Sequence, residues 1–124
     1  MATQKTRTSI WASQSLAASS ADTTSSAVNL TDGYDVALNI RFTNLGTGPT
    51  IPAQVQIQTS FDNSVWFPYG GVLVGNTTAS STTAAWGCIP IPNAVMYLRL
   101  VAGSNTGQAV EITADLAEIT DIAV

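Results

Sequence analysis

Apolar and polar residues alternate with a period of two through four segments of the chain. In Tyr34–Thr43, Val36, Leu38, Ile40 and Phe42 alternate with Asp35, Ala37, Asn39 and Arg41. In Ala53–Ser60, Ala53, Val55 and Ile57 alternate with Gln54, Gln56 and Gln58. Met96, Leu98 and Leu100 alternate with Tyr97, Arg99 and Val101, and Val110, Ile112, Ala114 and Leu116 with Glu111, Thr113 and Asp115. Side chains of a strand point to opposite faces in turn, so each segment predicts a strand with one buried face. Weaker strands are expected over Thr8–Leu16, Ala27–Leu30, Val65–Tyr69 and Thr77–Trp86. No window shows a helical stripe; DLAEITD, close to the C-terminal end, is the only helix candidate.

Turn residues separate these runs: Thr31-Asp32-Gly33, Gly46-Thr47-Gly48-Pro49, Asp62-Asn63-Ser64 and Gly103 to Gly107. Seven or eight short strands with such joints predict an all-β chain, a single antiparallel β-sandwich of jelly-roll type, with a small closed barrel as the alternative. Residues 1–16 are expected to form an extended N-terminal arm or a first strand. The Ser/Thr/Ala-rich stretch 17–27 reads as a flexible link, and residues 28–124 as the sandwich domain. Ile89-Pro90-Ile91-Pro92-Asn93 lacks two ladder donors and is expected to cross between sheets. After Leu116 the alternation slips, which predicts a bulge or strand exit close to Ala117. Reading Gly103–Gly107 as a hairpin sets Arg99 opposite Glu111, or opposite Thr113 with Glu111 diagonal. Arg99 and Glu111 are thus the candidate structural ion pair.

Composition narrows the function. The 124 residues include 17 Thr, 12 Ser, one Cys and no His, with 4 basic and 8 acidic side chains for a net charge of −4. Lys5, Arg7, Arg41 and Arg99 are scattered, so no cationic cluster exists to displace counterions from nucleic acid, nor a basic helix for a membrane surface. No stretch approaches the roughly 18 apolar residues of a membrane span. The N-terminal segment has polar residues throughout and does not read as a secretion signal. A surface this poor in charge suits a subunit that lies against neighbours in an assembly.

Catalytic chemistry finds little support. Serines have no histidine to act as base. Asp32, Asp35 and Asp62 sit in turns, where capping is the ordinary role. No His/Cys cluster suits zinc and no calcium-loop pattern is present, so no catalytic residue, metal or cofactor is expected. Cys88 reads as a small buried apolar residue, and Trp86 as core or strand-end packing. The sequons at Asn29 and Asn76 read as chance in so Thr-rich a chain. Binding is better served: Trp66, Phe67 and Tyr69 cluster in SVWFPYGG, and Trp11 stands alone in a polar segment. These four are the candidate interface residues.

The run Pro52–Trp66 reads as a strand followed by S-x-D-x-S-x-W, with Ser60, Asp62, Ser64 and Trp66 at the fixed positions. Ile89-Pro90, Tyr97-Leu98-Arg99-Leu100 and Asn105-Thr106-Gly107 follow, before a closing alternating strand. Over about residues 34–116 this set resembles small β-sandwich virion proteins of tailed bacteriophages. The resemblance implies a non-enzymatic virion component whose partners are the major capsid protein or neck and tail proteins. It also implies repeated copies or a homo-oligomer in a symmetric assembly. Capsid decoration or cement is the expected role, with Trp11 on the arm as a clamp. A neck, collar or tail protein is one alternative. A carbohydrate-binding or adhesin module, using the aromatic cluster and Gln54, Gln56 and Gln58, is another.

Overall fold

The computed structural model describes residues 4–79 and 82–121, and among these there is no helix. Nine strands form: β1 (Gln4–Leu16), β2 (Thr23–Thr24), β3 (Val28–Asn29), β4 (Tyr34–Asn44), β5 (Gln54–Ser60), β6 (Phe67–Val74), β7 (Thr82–Ile91), β8 (Tyr97–Gly103) and β9 (Val110–Asp121). DLAEITD is the continuation of β9.

The strands build two antiparallel sheets, β1-β9-β4-β7 and β2-β8-β5-β6, with β3 also on β8. β2 and β3 are one interrupted strand along β8. At the break, buried Ser25 accepts from Leu100 N–H through its Oγ at 2.9 Å and donates its own N–H to Leu100 O at 2.8 Å. The Ser/Thr/Ala-rich stretch thus carries sheet pairing of its own. Counted as eight strands, the order is that of a jelly roll. Only β5–β6 connects within a sheet; every other joint crosses the sandwich.

β8 and β9 therefore lie in different sheets, and Gly103–Gly107 is not a hairpin turn. Both strands bury their apolar face, but they meet across the core instead of side by side. Alternation fixes which face is buried and does not choose between these arrangements. Buried Asn105 holds the crossing, donating through Nδ2 to Leu16 O at 3.0 Å and Gln108 O at 2.9 Å.

The core is the pair of inner faces: Val36, Leu38, Ile40 and Phe42 of β4, Val55 and Ile57 of β5, Leu98 and Leu100 of β8, and Val110, Ile112 and Leu116 of β9. Of the arm and first-strand expectations, residues 4–16 take the second. β1 is the edge strand beside β9, and Trp11 pairs with Ala114. The Trp11 side chain is 8 % exposed and belongs to the chain's own core. A large ring fits there because alanine leaves room beside it.

Two of the register shifts bear on residues singled out in the sequence. Tyr34 to Ala37 of β4 spans one residue more than Ala117 to Ile119 of β9, so the bulge expected near Ala117 sits on the partner strand, where Asp35 has φ 49°. In β7 an extra residue lies between Trp86 and Ile89, opposite Ile40 and Leu38. Cys88 takes φ 52° in this bulge, and its N–H donates to Asn39 Oδ1 at 2.7 Å. The bulge turns Cys88 out on an edge strand, so it is exposed, not buried. Trp86 is likewise 42 % exposed. Pro90 pairs opposite Ala37 in this same edge strand, a position that tolerates proline. The crossing to β8 begins only after Ile91.

Candidate interaction surfaces

Antiparallel connectivity sorts the loops into two poles. One pole gathers residues 30–33, 61–66 and 92–96 with the first residues of β1 and the last of β9. The other gathers the joints after β1, β4, β6 and β8.

The first pole is built on Asp62. Its Oδ1 accepts from Ser64 N–H and Val65 N–H, both at 2.9 Å, and from Ser60 Oγ at 3.0 Å. Ser60 Oγ in turn accepts from the N–H groups of Asp62 and Asn63. The Val65 and Ser64 amides, then the Ser60 hydroxyl, hold the Asp62 carboxyl below the usual carboxylate range. Aspartate here caps a turn, and the result is a loop with a fixed backbone. Its neighbours are also tied: Asp35 N–H to Asn93 Oδ1 at 2.9 Å, Leu30 N–H to Met96 O at 2.8 Å and Val95 N–H to Pro92 O at 3.1 Å.

On this fixed frame stand apolar side chains. Phe61 is 69 % exposed and Phe67 62 %, and Tyr34, Val65 and Met96 are exposed at the same pole. These five are half of the exposed large hydrophobic side chains among the described residues. Phe61, Val65, Tyr34 and Met96 were not expected from the sequence. The available signal was the placement of Phe61 and Val65 around Asp62-Asn63-Ser64, where a turn leaves large apolar groups uncovered.

The expected interface residues separate. Phe67 is open to solvent. Trp66 is half-buried, with the Arg99 guanidinium over its ring at 4.3 Å. Tyr69 packs against the core, and its hydroxyl donates to Pro90 O at 2.9 Å, tying β6 to β7. Trp11 is internal. Arg99 and Glu111 do not meet, because β8 and β9 occupy different sheets. Arg99 Nε donates to Gln58 Oε1 at 2.7 Å, and Glu111 accepts from Ser13 Oγ.

The outer face of the β1-β9-β4-β7 sheet carries a shallow groove of about 380 Å³ lined by Arg7, Asn39, Arg41, Trp86, Thr113 and Asp115. Arg7 pairs with Asp115 at 2.6 Å. The groove offers charge and hydrogen bonds but no nucleophile beside a base. Among the described residues, no group of three or more His, Cys, Asp or Glu is placed to hold a metal ion. Both sequon asparagines use their side chains within the fold: Asn29 Oδ1 accepts from Thr31, and Asn76 Oδ1 from Asn44 and Thr78.

No protein-family model matches the chain, and no curated protein sequence matches it. Solved structures do. The SPBc2 prophage-derived protein YomS aligns over 96 % of both chains at 9 % identity and TM-score 0.57. The protein of T=1 particles derived from infectious bursal virus covers 95 % of this chain at 12 % identity and TM-score 0.58. The PBSX exported protein XepA covers 96 % at 13 % identity and TM-score 0.53. This chain spans 31 % of the T=1 particle chain and 39 % of XepA. What it shares with them is the fold, a two-sheet β-sandwich that also occurs in a virus particle and in prophage proteins.

Proposed function

We propose that this chain is a non-enzymatic structural protein of a phage virion, a capsid decoration or cement protein that binds neighbouring capsid subunits. The observation that carries the reading is the apolar pole: Phe61, Val65 and Met96 on loops, with Tyr34 and Phe67 at the strand starts that follow, all exposed at an end of the sandwich whose loops are held by hydrogen bonds. A frame ordered before binding loses little conformational entropy on contact, so the burial of these groups is retained as affinity. Symmetry then repeats one such contact over a lattice. The fold shared with YomS and the T=1 particle protein supports the same reading. So does the absence of histidine from the sequence. Because Trp11 lies in the core, the pole replaces the arm as the attachment element.

A glycan platform is less well supported. Of the three aromatics expected to form it, Phe67 alone is open, while Arg99 covers one face of Trp66 and Tyr69 is tied to Pro90.

Quantitative mass spectrometry of purified particles tests the role. Hundreds of copies per particle are expected for a decoration protein. A dozen or fewer would move the chain to the neck or tail, and absence would overturn the virion reading. Phe61→Asp with Val65→Asp should abolish attachment while leaving the thermal midpoint of the free protein unchanged.

A further inference from the structure

We propose that the groove on the outer face of the β1-β9-β4-β7 sheet binds an acidic oligosaccharide whose rings carry carboxylates, as uronic acids do. Strand order brings its residues together. β4 sets Arg41 beside Thr113 of β9 and Ala85 of β7, and Asn39 beside Asp115. Arg7 reaches Asp115 from β1. The short residues Thr113, Ala85 and Gly87 leave room beside the long side chains of Arg7 and Arg41.

The arginines set the charge of the ligand. Arg7 is tied to Asp115 at 2.6 Å. Arg41 is exposed, and its guanidinium meets no hydrogen-bond or ion-pair partner among the described residues. Two arginines against one aspartate make the groove locally positive on a chain of net charge −4. A free guanidinium takes a carboxylate through two parallel hydrogen bonds.

The remaining lining selects a sugar over other anions. Asp115 repels a ligand that is negative throughout but accepts from hydroxyls. Asn39 Oδ1 is engaged by Cys88 N–H, which leaves its Nδ2 to donate, and Thr113 Oγ1 gives its proton to Ala12 O at 3.4 Å and remains an acceptor. Sugar hydroxyls both donate and accept, so they match this mixed set beside one carboxylate. A peptide strand finds no ladder to join. β9 and β4 are interior strands, and β7 is interrupted at this point by the Gly87-Cys88 bulge. Exposed Trp86 and Ala85 line the β7 end and offer apolar surface to the C–H face of a ring.

The test uses the isolated protein and amide NMR titration with trimers of galacturonate, glucuronate and mannuronate. Each trimer is paired with its methyl ester, which keeps the ring hydroxyls and removes the charge. At least one acid trimer should shift the amides of Ala85, Gly87 and Thr113 and bind about tenfold more tightly than its ester. Arg41→Gln should weaken that binding about tenfold with an unchanged thermal midpoint, and Arg41→Lys should fall between. Phe61→Asp with Val65→Asp, at the pole, should leave it unchanged. No binding of any trimer at millimolar concentration overturns the proposal, as does equal affinity for acid and ester. Equally tight binding of tetraglutamate or inorganic sulfate also overturns it, by making the groove an unselective anion contact. Particles that carry a chain unable to bind uronate would leave the virion reading standing and remove this one.

Discussion

The guanidinium of Arg99 lies 4.3 Å from the centroid of the Trp66 ring while its Nε donates to Gln58 at 2.7 Å. The contact follows from the jelly-roll order, which sets β8 beside β5 and pairs Arg99 with Gln58. A double-mutant cycle of Arg99→Ala and Trp66→Ala, read by urea unfolding, should give a coupling of about 0.5–1 kcal/mol. The same cycle with Glu111→Ala should give none, because Glu111 lies in the other sheet.

Trp11 and Trp86 should separate sharply in stability. Trp11→Ala removes a ring from the core and should lower the unfolding free energy by about 3–5 kcal/mol. Trp86→Ala, at an exposed position on the edge, should change it by about 0.5 kcal/mol or less. Chemical denaturation of both variants checks this.

Asn105 holds two carbonyls that no other described side chain reaches, those of Leu16 and Gln108. Asn105→Ala strands the buried Leu16 acceptor and frees the half-buried Gln108 one, and should destabilise the fold by about 1–3 kcal/mol. Asn105→Asp keeps the shape but supplies no N–H donor, and its loss at neutral pH should be at least as large. Urea midpoints of the two variants test the ordering.

Glu118 and Asp62 predict opposite responses to acid. Burial, then the negative charge of Asp32, raises the Glu118 carboxyl above its ordinary value of 4.5. The native state therefore binds this proton more tightly than the unfolded chain. The penalty is full above the raised folded value and disappears as pH falls below 4.5. Glu118→Gln should be more stable than wild type at pH 7, and the gap should close by pH 4. The Glu118 carboxylate also fills the space beside Gly33, so Gly33→Ala obliges the Glu118 side chain to swing aside. Asp62, with a lowered pKa, stabilises the fold above the usual carboxylate range and loses that contribution as pH falls through its folded value. Asp62→Asn should lie closest to wild type at the lowest pH.

Val36 to Phe42, Val55 with Ile57, Leu98 with Leu100, and Val110 to Leu116 were legible because each strand has one face against the core and one toward water. Their assignment to sheets was not. Leu100 and Ile112 look alike whether their strands are neighbours or face each other, and only the crossing held by Asn105 decides. Cys88 read as buried because it is small and apolar by type, and a bulge on an edge strand, held by Asn39 from another strand, turned it outward. The pole was hidden for a related reason. Tyr34, Phe61 and Met96 are far apart in sequence, and their shared exposure exists only once three loops converge.

Gln4 faces Asp121 across the β1–β9 ladder, one strand spacing of about 5 Å away. A short peptide could bridge that gap and close the backbone into a ring without disturbing any strand pair. Reopening the ring within the exposed turn Leu45–Thr47 would place both new ends at the opposite pole. Such a circular permutant would carry a fused passenger on the side away from the proposed attachment surface.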